Sequence, residues 1–161
     1  RGTSRGHTNA SRFTNCLSME IKTPVTEKEW EAYFMLRYQV LRAPWNQPLG
    51  SEKDALEDQG FHLAVFEGDG ILGVGRLDAL DAQTGQIRYM AVAPHQQGRG
   101  VGAALMETLE MEAWKQGKTQ VILHAREVAL AFYTKAGYQL VQKSHLLFGE
   151  IQHFLMQKKK G

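Results

Sequence analysis

The sequence predicts a mixed α/β domain of seven strands and about four helices, in the order β-α-α-β-β-β-α-β-α-β-β. Three observations carry that prediction. Apolar runs between residues 61 and 93 follow one another with only turn residues between them, the pattern of an antiparallel meander. After residue 100 the apolar period changes from two to i, i+4. Beyond that, strand-like and helical runs alternate. A length of 161 residues suits one domain, placed at residues 19–157.

Taken in order, residues 19–25 (MEIKTPV) read as a short strand ending at Pro24. Thr26 with Glu29 three positions on forms a capping box that opens a helix, and Trp30, Tyr33, Phe34, Arg37 and Leu41 recur at helical spacing. That helix should end before Pro44. The acidic stretch Ser51–Asp58 reads as one short helix or an ordered loop. Phe61–Phe66, Ile71–Leu80 and Gln86–Ala93 are the three meander strands, with Gly68-Asp69-Gly70 as a hairpin turn. Val101, Leu105, Leu109 and Ala113 stripe a helix over residues 100–116 that stops at Gly117. Gln120–His124 is a strand. Ala129, Phe132, Tyr133 and Ala136 stripe a second helix ending at Gly137, and Tyr138–Lys143 and Ile151–Gln157 are the last strands.

Composition narrows the function. Apolar residues make up 43% and charged residues 22%, ordinary for a folded protein. No apolar run approaches the roughly 20 residues of a membrane span, so no membrane partner is expected. A single cysteine, Cys16, excludes an intrachain disulfide and makes a cytoplasmic location the default. Residues 1–18 carry three Arg and no acid, and read as a leader or vector-derived segment. Residues 158–161 read as a basic tail. Within a net charge of +2, these ends leave −4 on residues 19–157. Positive charge at the termini rather than along a face argues against nucleic acid as a partner. The acidic body weakly favours a cationic acceptor. The six His are scattered, and no metal site is expected.

The most informative segment runs from Val92 to Ala103 (VAPHQQGRGVGA), where a strand ends, a glycine-rich turn follows and a helix begins. A helix N-terminus offers unpaired N–H groups and partial positive charge, a natural seat for phosphate. Glycine allows close backbone approach, and Arg99 adds a full charge. Gly98–Ala103 also fits G-x-G-x-x-[GA], the dinucleotide pattern. That pattern belongs in the first βα turn of a parallel sheet with an acid about 20 residues on. Here several strands precede it, and Val121–His124 ends without the acid.

Gln97-x-x-Gly100-x-Gly102, preceded by the strand Met90-Ala91-Val92 and followed by Phe132–Tyr138 (FYTKAGY), resembles the GNAT superfamily of acetyl-CoA-dependent N-acetyltransferases. Leu36-Arg37, His124-Ala125-Arg126 and Ile151-Gln152-His153 resemble its ElaA and YjcF-like branch. The resemblance spans residues 19–157. It implies one mixed, mostly antiparallel seven-stranded sheet, with acetyl-CoA wedged between splayed parallel strands ending at Val92 and His124. It also implies that Met90, Ala91 and Val92 pair with the pantetheine arm. The turn Gln97, Gly98, Arg99, Gly100, Val101, Gly102 would hold the pyrophosphate. Arg126 stands where many members have Asn. Members often pair as homodimers.

Acetyl transfer to a small-molecule or protein amine requires three things. The amine must lose a proton, since a lysine-type amine has a pKa of about 10.4. The developing oxyanion needs N–H donors, which the backbone near Val92 could supply. The departing thiolate needs a proton, and the resemblance assigns that role to Tyr133, the alternative being a core aromatic on the helix stripe beside Phe132. The usual Glu on the fourth strand is absent, where Arg88 and Tyr89 stand instead. His124, Glu150 and His153 are the candidates for base or substrate contact, His because its pKa lies near neutrality. Arg37, Arg76 and Arg88 lie in apolar contexts, where they either bind a substrate carboxylate or form structural salt bridges. The alternatives are a non-catalytic acyl-CoA-binding module of the same fold and an NAD(P)-dependent oxidoreductase, which would require an all-parallel sheet.

Overall fold

The computed structural model describes residues 18–161; the expected leader segment at 1–17, Cys16 included, lies outside the described residues. Seven strands form one sheet: β1 (Met19–Lys22), β2 (Phe61–Glu67), β3 (Gly70–Ala79), β4 (Thr84–Val92), β5 (Gln120–Arg126), β6 (Gln139–Leu147) and β7 (Ile151–Lys159). Three α-helices accompany them: α1 (Glu27–Leu41), α2 (Val101–Lys115) and α3 (Leu130–Lys135). The strand order is β1-β2-β3-β4-β5-β7-β6. Every neighbouring pair is antiparallel except β4 with β5. The all-parallel sheet that an oxidoreductase reading requires is therefore not the sheet formed.

The capping box is built as the sequence predicts. Glu29 N–H donates to Thr26 Oγ1, and the Glu29 carboxylate accepts from the Thr26 and Val25 N–H groups. Lys22 then pairs with Glu29 at 2.7 Å and tethers β1 to α1.

About four helices are expected and three form. Ser51–Asp58 is a series of turns. Its carboxylates take the backbone donors a helix would need for its ladder: Asp54 N–H donates to Glu57 Oε2, and Leu56 N–H to Asp54 Oδ1. Such local side-chain bonds compete with helix formation.

The sheet has a core on each face. Beneath α2, Leu63, Leu77, Val121, Leu123 and Met156 pack against Leu105, Met106 and Leu109. Beneath α1, Ala64, Phe66, Val74 and Ala91 pack against Tyr33 and Leu36. The second core covers only the first half of the sheet. Past Leu41 the helix ends, and no residue of β5 or β7 joins the core beneath it.

At the far end, Lys158 is not part of a free basic tail. It lies in β7 and donates to Glu110 on α2 and to the Ala136 carbonyl, while the Tyr138 hydroxyl donates to the other Glu110 oxygen. Among the described residues no helix is long and apolar enough to cross a membrane.

Candidate active site

β4 and β5 pair only from Thr84–Gln120 to Gln86–Ile122. Beyond that point β4 runs on to Val92 held by β3, and β5 runs on to Arg126 held by β7. Held on their outer edges but not to each other, the two strands leave a cleft of about 200 Å³ between them. Leu41, Arg42 and Trp45 close one side of it, and Ala129 and Tyr133 the other.

A bulge shapes the β4 wall. The register steps from Val74–Ala91 to Arg76–Arg88, so β4 carries one extra residue opposite Gly75. Tyr89 absorbs it with φ of 55°, a left-handed conformation that a bulky residue adopts rarely. A bulge leaves its extra residue out of the ladder and bends the strand, which is why such features gather beside active sites. Tyr89 and Met90 both line the cleft at this point.

Past the cleft, β4 ends at Val92, and the glycine-rich turn follows before α2. Gly98 and Gly100 have φ of 86° and 78°, and a Cβ on either would meet nothing within 4 Å. They are glycines for their backbone conformation, and the space over them is open. Gly102 differs: a Cβ there would meet the Phe132 ring at 3.0 Å. Gly100 is the N-cap of α2 and brings no side chain to bond the first N–H groups. Those groups face outward in a cradle suited to an anion. Arg99 sits at its edge, paired with Glu67 at 2.8 Å and donating to Gln96. The N–H groups that open α2 are suited to an anion such as phosphate, and the turn that carries them follows the end of β4, one wall of the cleft.

Tyr133 reaches the cleft from α3. Burial pushes its hydroxyl pKa up to about 12, only partly countered by the nearby Arg126 charge. Among the described residues no group hydrogen-bonds that hydroxyl.

β5 alternates strictly. Val121, Leu123 and Ala125 enter the core under α2, while His124 and Arg126 face the other way, into the open half-face. Arg126 lies directly across from His153 on β7. His124 Nδ1 bonds Ser144 Oγ at 3.0 Å. His153 Nδ1 is 3.0 Å from the Ile151 carbonyl. A carbonyl only accepts, so that nitrogen carries the proton and Nε2 holds the free lone pair. Between them stands His145, stacked on His153 at 4.4 Å and 5.3 Å from His124. Burial lowers the pKa of both His124 and His153. The His145 and His153 rings stack, while His124 is tilted by 59° to His145; among the described residues no group of three or more His, Cys, Asp or Glu is arranged to hold a metal ion.

Other residues singled out from sequence fall elsewhere. Glu150 is exposed in the β6–β7 turn and does not line the cleft. Arg37 and Arg76 are fully buried away from it. Arg37 binds both oxygens of Glu57, and Arg76 binds Asp54 and Asp78 bidentately with Glu57 at 2.9 Å. Of the two roles open to them, the geometry supports the structural one. Arg88 differs, with a side chain 40% exposed in the cleft wall and Asp54 no nearer than 3.6 Å.

Arg42, Trp45, Tyr89 and His145 line the cleft and were not anticipated. Only His145 left a signal. Counting back from the turn, the pairs Leu147–Ile151 and Leu146–Gln152 bring residue 145 next to 153.

The Acetyltransferase (GNAT) family model matches residues 23–138. The chain is 31% identical over 132 residues to the uncharacterized N-acetyltransferase YjcF of Bacillus subtilis, covering 82% of this chain and 94% of that one. Escherichia coli ElaA superposes with a TM-score of 0.73 at 21% identity, covering 88% of this chain and all of the other. The PaiA N-acetyltransferase of Thermoplasma acidophilum, solved in complex with coenzyme A, superposes with a TM-score of 0.69 at 14% identity, covering 89% and 100%. A family model over most of the chain, together with a relative this similar, places the protein in the GNAT family of acetyltransferases.

Proposed function

We propose that the protein is an acetyl-CoA-dependent N-acetyltransferase that acts on an amine by direct transfer. The observation that carries this is the splaying of β4 from β5 beyond Gln86–Ile122, with β4 running on to Val92 just ahead of the open Gly98–Gly100 turn, and with the Tyr133 hydroxyl, unpartnered among the described residues, at the cleft. The cradle holds the pyrophosphate on the N–H groups that open α2, and the β4 edge from Met90 to Val92 pairs with the pantetheine arm. Bound acetyl-CoA supplies the acetyl group as a thioester.

The chain's own groups supply the rest. An imidazole of the β5–β7 pair takes the proton from the incoming amine. His153 is already in the required tautomer, and burial keeps both it and His124 uncharged at neutral pH. Backbone N–H groups near the Tyr89 bulge meet negative charge gathering on the carbonyl oxygen. Tyr133, held protonated by its surroundings, gives its proton to the departing sulfur. One C–N bond forms, one C–S bond breaks, and the proton lost by the amine is matched by the one gained by the thiol.

Thermal unfolding with acetyl-CoA, CoA, NAD or NADP added separately tests the reading. A ligand at 100 times its Kd stabilises a fold by about 2.7 kcal/mol, or several degrees for a domain this size. A rise with acetyl-CoA and CoA but not with NAD(P) is expected; a rise with NAD(P) alone overturns the assignment. Release of CoA thiol in the presence of an amine then separates an enzyme from a binding module.

A further inference from the structure

Among the described residues the cleft is lined by three arginines (Arg42, Arg88, Arg126) and three histidines, and by no Asp or Glu. The arginines are not consumed by internal ion pairs. Among the described residues no carboxylate lies within ion-pair distance of Arg42 or Arg126. Arg42 donates to the Ser51 and Leu41 carbonyls, which leave its charge uncancelled. Arg126 stands over the Trp45 ring at 5.6 Å. Arg88 meets Asp54 only at 3.6 Å, and Asp54 is already held bidentately by Arg76.

These charges also share a side. Ile87 enters the core under α2, so Arg88 beside it faces the open half-face, as do His124 and Arg126 on β5. Arg42 comes to the same place from the C-terminal end of α1. None of the three belongs to the Gly98–Gly102 cradle, where the basic side chain is Arg99. An amine bearing further positive charge would enter a cleft with no counter-charge, whereas an anion would find two or three arginines prepaid by the fold.

We propose that the acceptor is a small amine carrying a carboxylate or phosphate, and that Arg88 and Arg126 seat this anion while the amine lies against the β5–β7 imidazoles. The proposal rests on the acetyltransferase reading and reverses the cationic preference suggested by the net charge of the body.

The test measures CoA thiol release with acetyl-CoA and four amines: β-alanine, O-phosphoethanolamine, ethanolamine and spermidine. At least one anionic amine should exceed ethanolamine and spermidine in kcat/KM by about tenfold, the effect of one charge-assisted hydrogen bond. Which anionic amine is preferred tells carboxylate from phosphate. Arg88→Gln should raise the KM for that amine by about the same factor and leave the KM for acetyl-CoA unchanged. Arg126→Asn, which installs the residue common in the family, provides a second variant should Arg88→Gln fold poorly. Ethanolamine or spermidine used as well as the anionic amines, neither anionic amine used, or variants with no effect on acceptor KM would each overturn the proposal. A protein that acetyl-CoA does not stabilise fails at the earlier step, and the acetyltransferase reading falls with it.

Discussion

Two groups of arginines lie on either side of Tyr89 and are treated in opposite ways. Arg37 and Arg76 are fully buried and matched to Asp54, Glu57 and Asp78. Arg42, Arg88 and Arg126 border the cleft with almost no carboxylate near them. The Tyr89 ring touches both groups, with Arg37 at 4.4 Å, Arg76 at 4.9 Å and Arg88 at 5.4 Å. The first group is a hydrogen-bonded network in which only the buried Arg37 Nε lacks a partner among the described residues. Arg37 donates to the Tyr33 hydroxyl, which bonds His62 Nδ1, and His62 Nε2–H donates to the Glu57 carbonyl. Hydrogen bonds from Arg76 hold Asp54 well below the usual carboxylate range. Glu57 is also lowered, its arginine partners outweighing the opposing effect of burial. The contrast teaches that an arginine in an apolar stretch reports burial, and only its partners reveal whether the charge serves the fold or a ligand.

Arg76→Met should break the comparison most severely. It leaves Asp54, Asp78 and Glu57 facing one another without their shared cation, at about 3–5 kcal/mol and a fall in Tm of the order of 10 °C. Urea unfolding measures it, and a loss below about 1 kcal/mol would mean that the network is no more than a surface cluster. Tyr133→Phe sharpens the other side. It removes a hydroxyl with no partner among the described residues, so stability should change little while kcat falls by roughly a hundredfold. An unchanged kcat would remove the proton-donor role.

The two regions also answer to pH differently. Burial lowers the pKa of His62 in the network and of His124 and His153 in the cleft, below the ordinary 6.5. The unfolded chain therefore binds protons first, and the stability these groups contribute, fully present above about pH 6.5, is lost as pH falls below it. Tm measured from pH 8 to pH 5 should decline over that lower range. In kcat/KM profiles, His153→Gln should shift or abolish the rising limb, whereas His62→Gln should lower Tm and leave the limb in place. The smallest effect is on the stability of Arg88→Gln, within about 0.5 kcal/mol of wild type because its side chain is part-exposed and loosely paired. A loss comparable to that of Arg76→Met would show that both groups belong to the fold.

Some of this architecture was legible residue by residue. The Thr26–Glu29 box, the strand-to-helix turn with Gly98 and Gly100, and the β2–β4 meander all rest on contacts between near neighbours, so their signals are local. Of the short helix or ordered loop that Ser51–Asp58 could form, the loop is built: its acids bond local backbone N–H groups and also the arginines at positions 37 and 76, a demand that the segment's own residues do not display. Glu150 looked like a base by its place in the last hairpin, but it projects from the turn and not from the face that borders the cleft.

The sequence by itself determined the seven strands, three of the helices, their order and the glycine-rich turn ahead of α2, because capping, periodicity and positive φ at glycine act within a few residues. The tertiary structure alone decided that β7 lies between β5 and β6, that α1 stops short of the second half-face, and that a bulge at Tyr89 divides arginines held tightly by carboxylates from Arg88, which meets Asp54 only at 3.6 Å, and from Arg42 and Arg126. Those outcomes depend on register and strand order, which bring together groups as distant in sequence as Arg42, Arg126 and His153. No local pattern encodes a meeting of that kind.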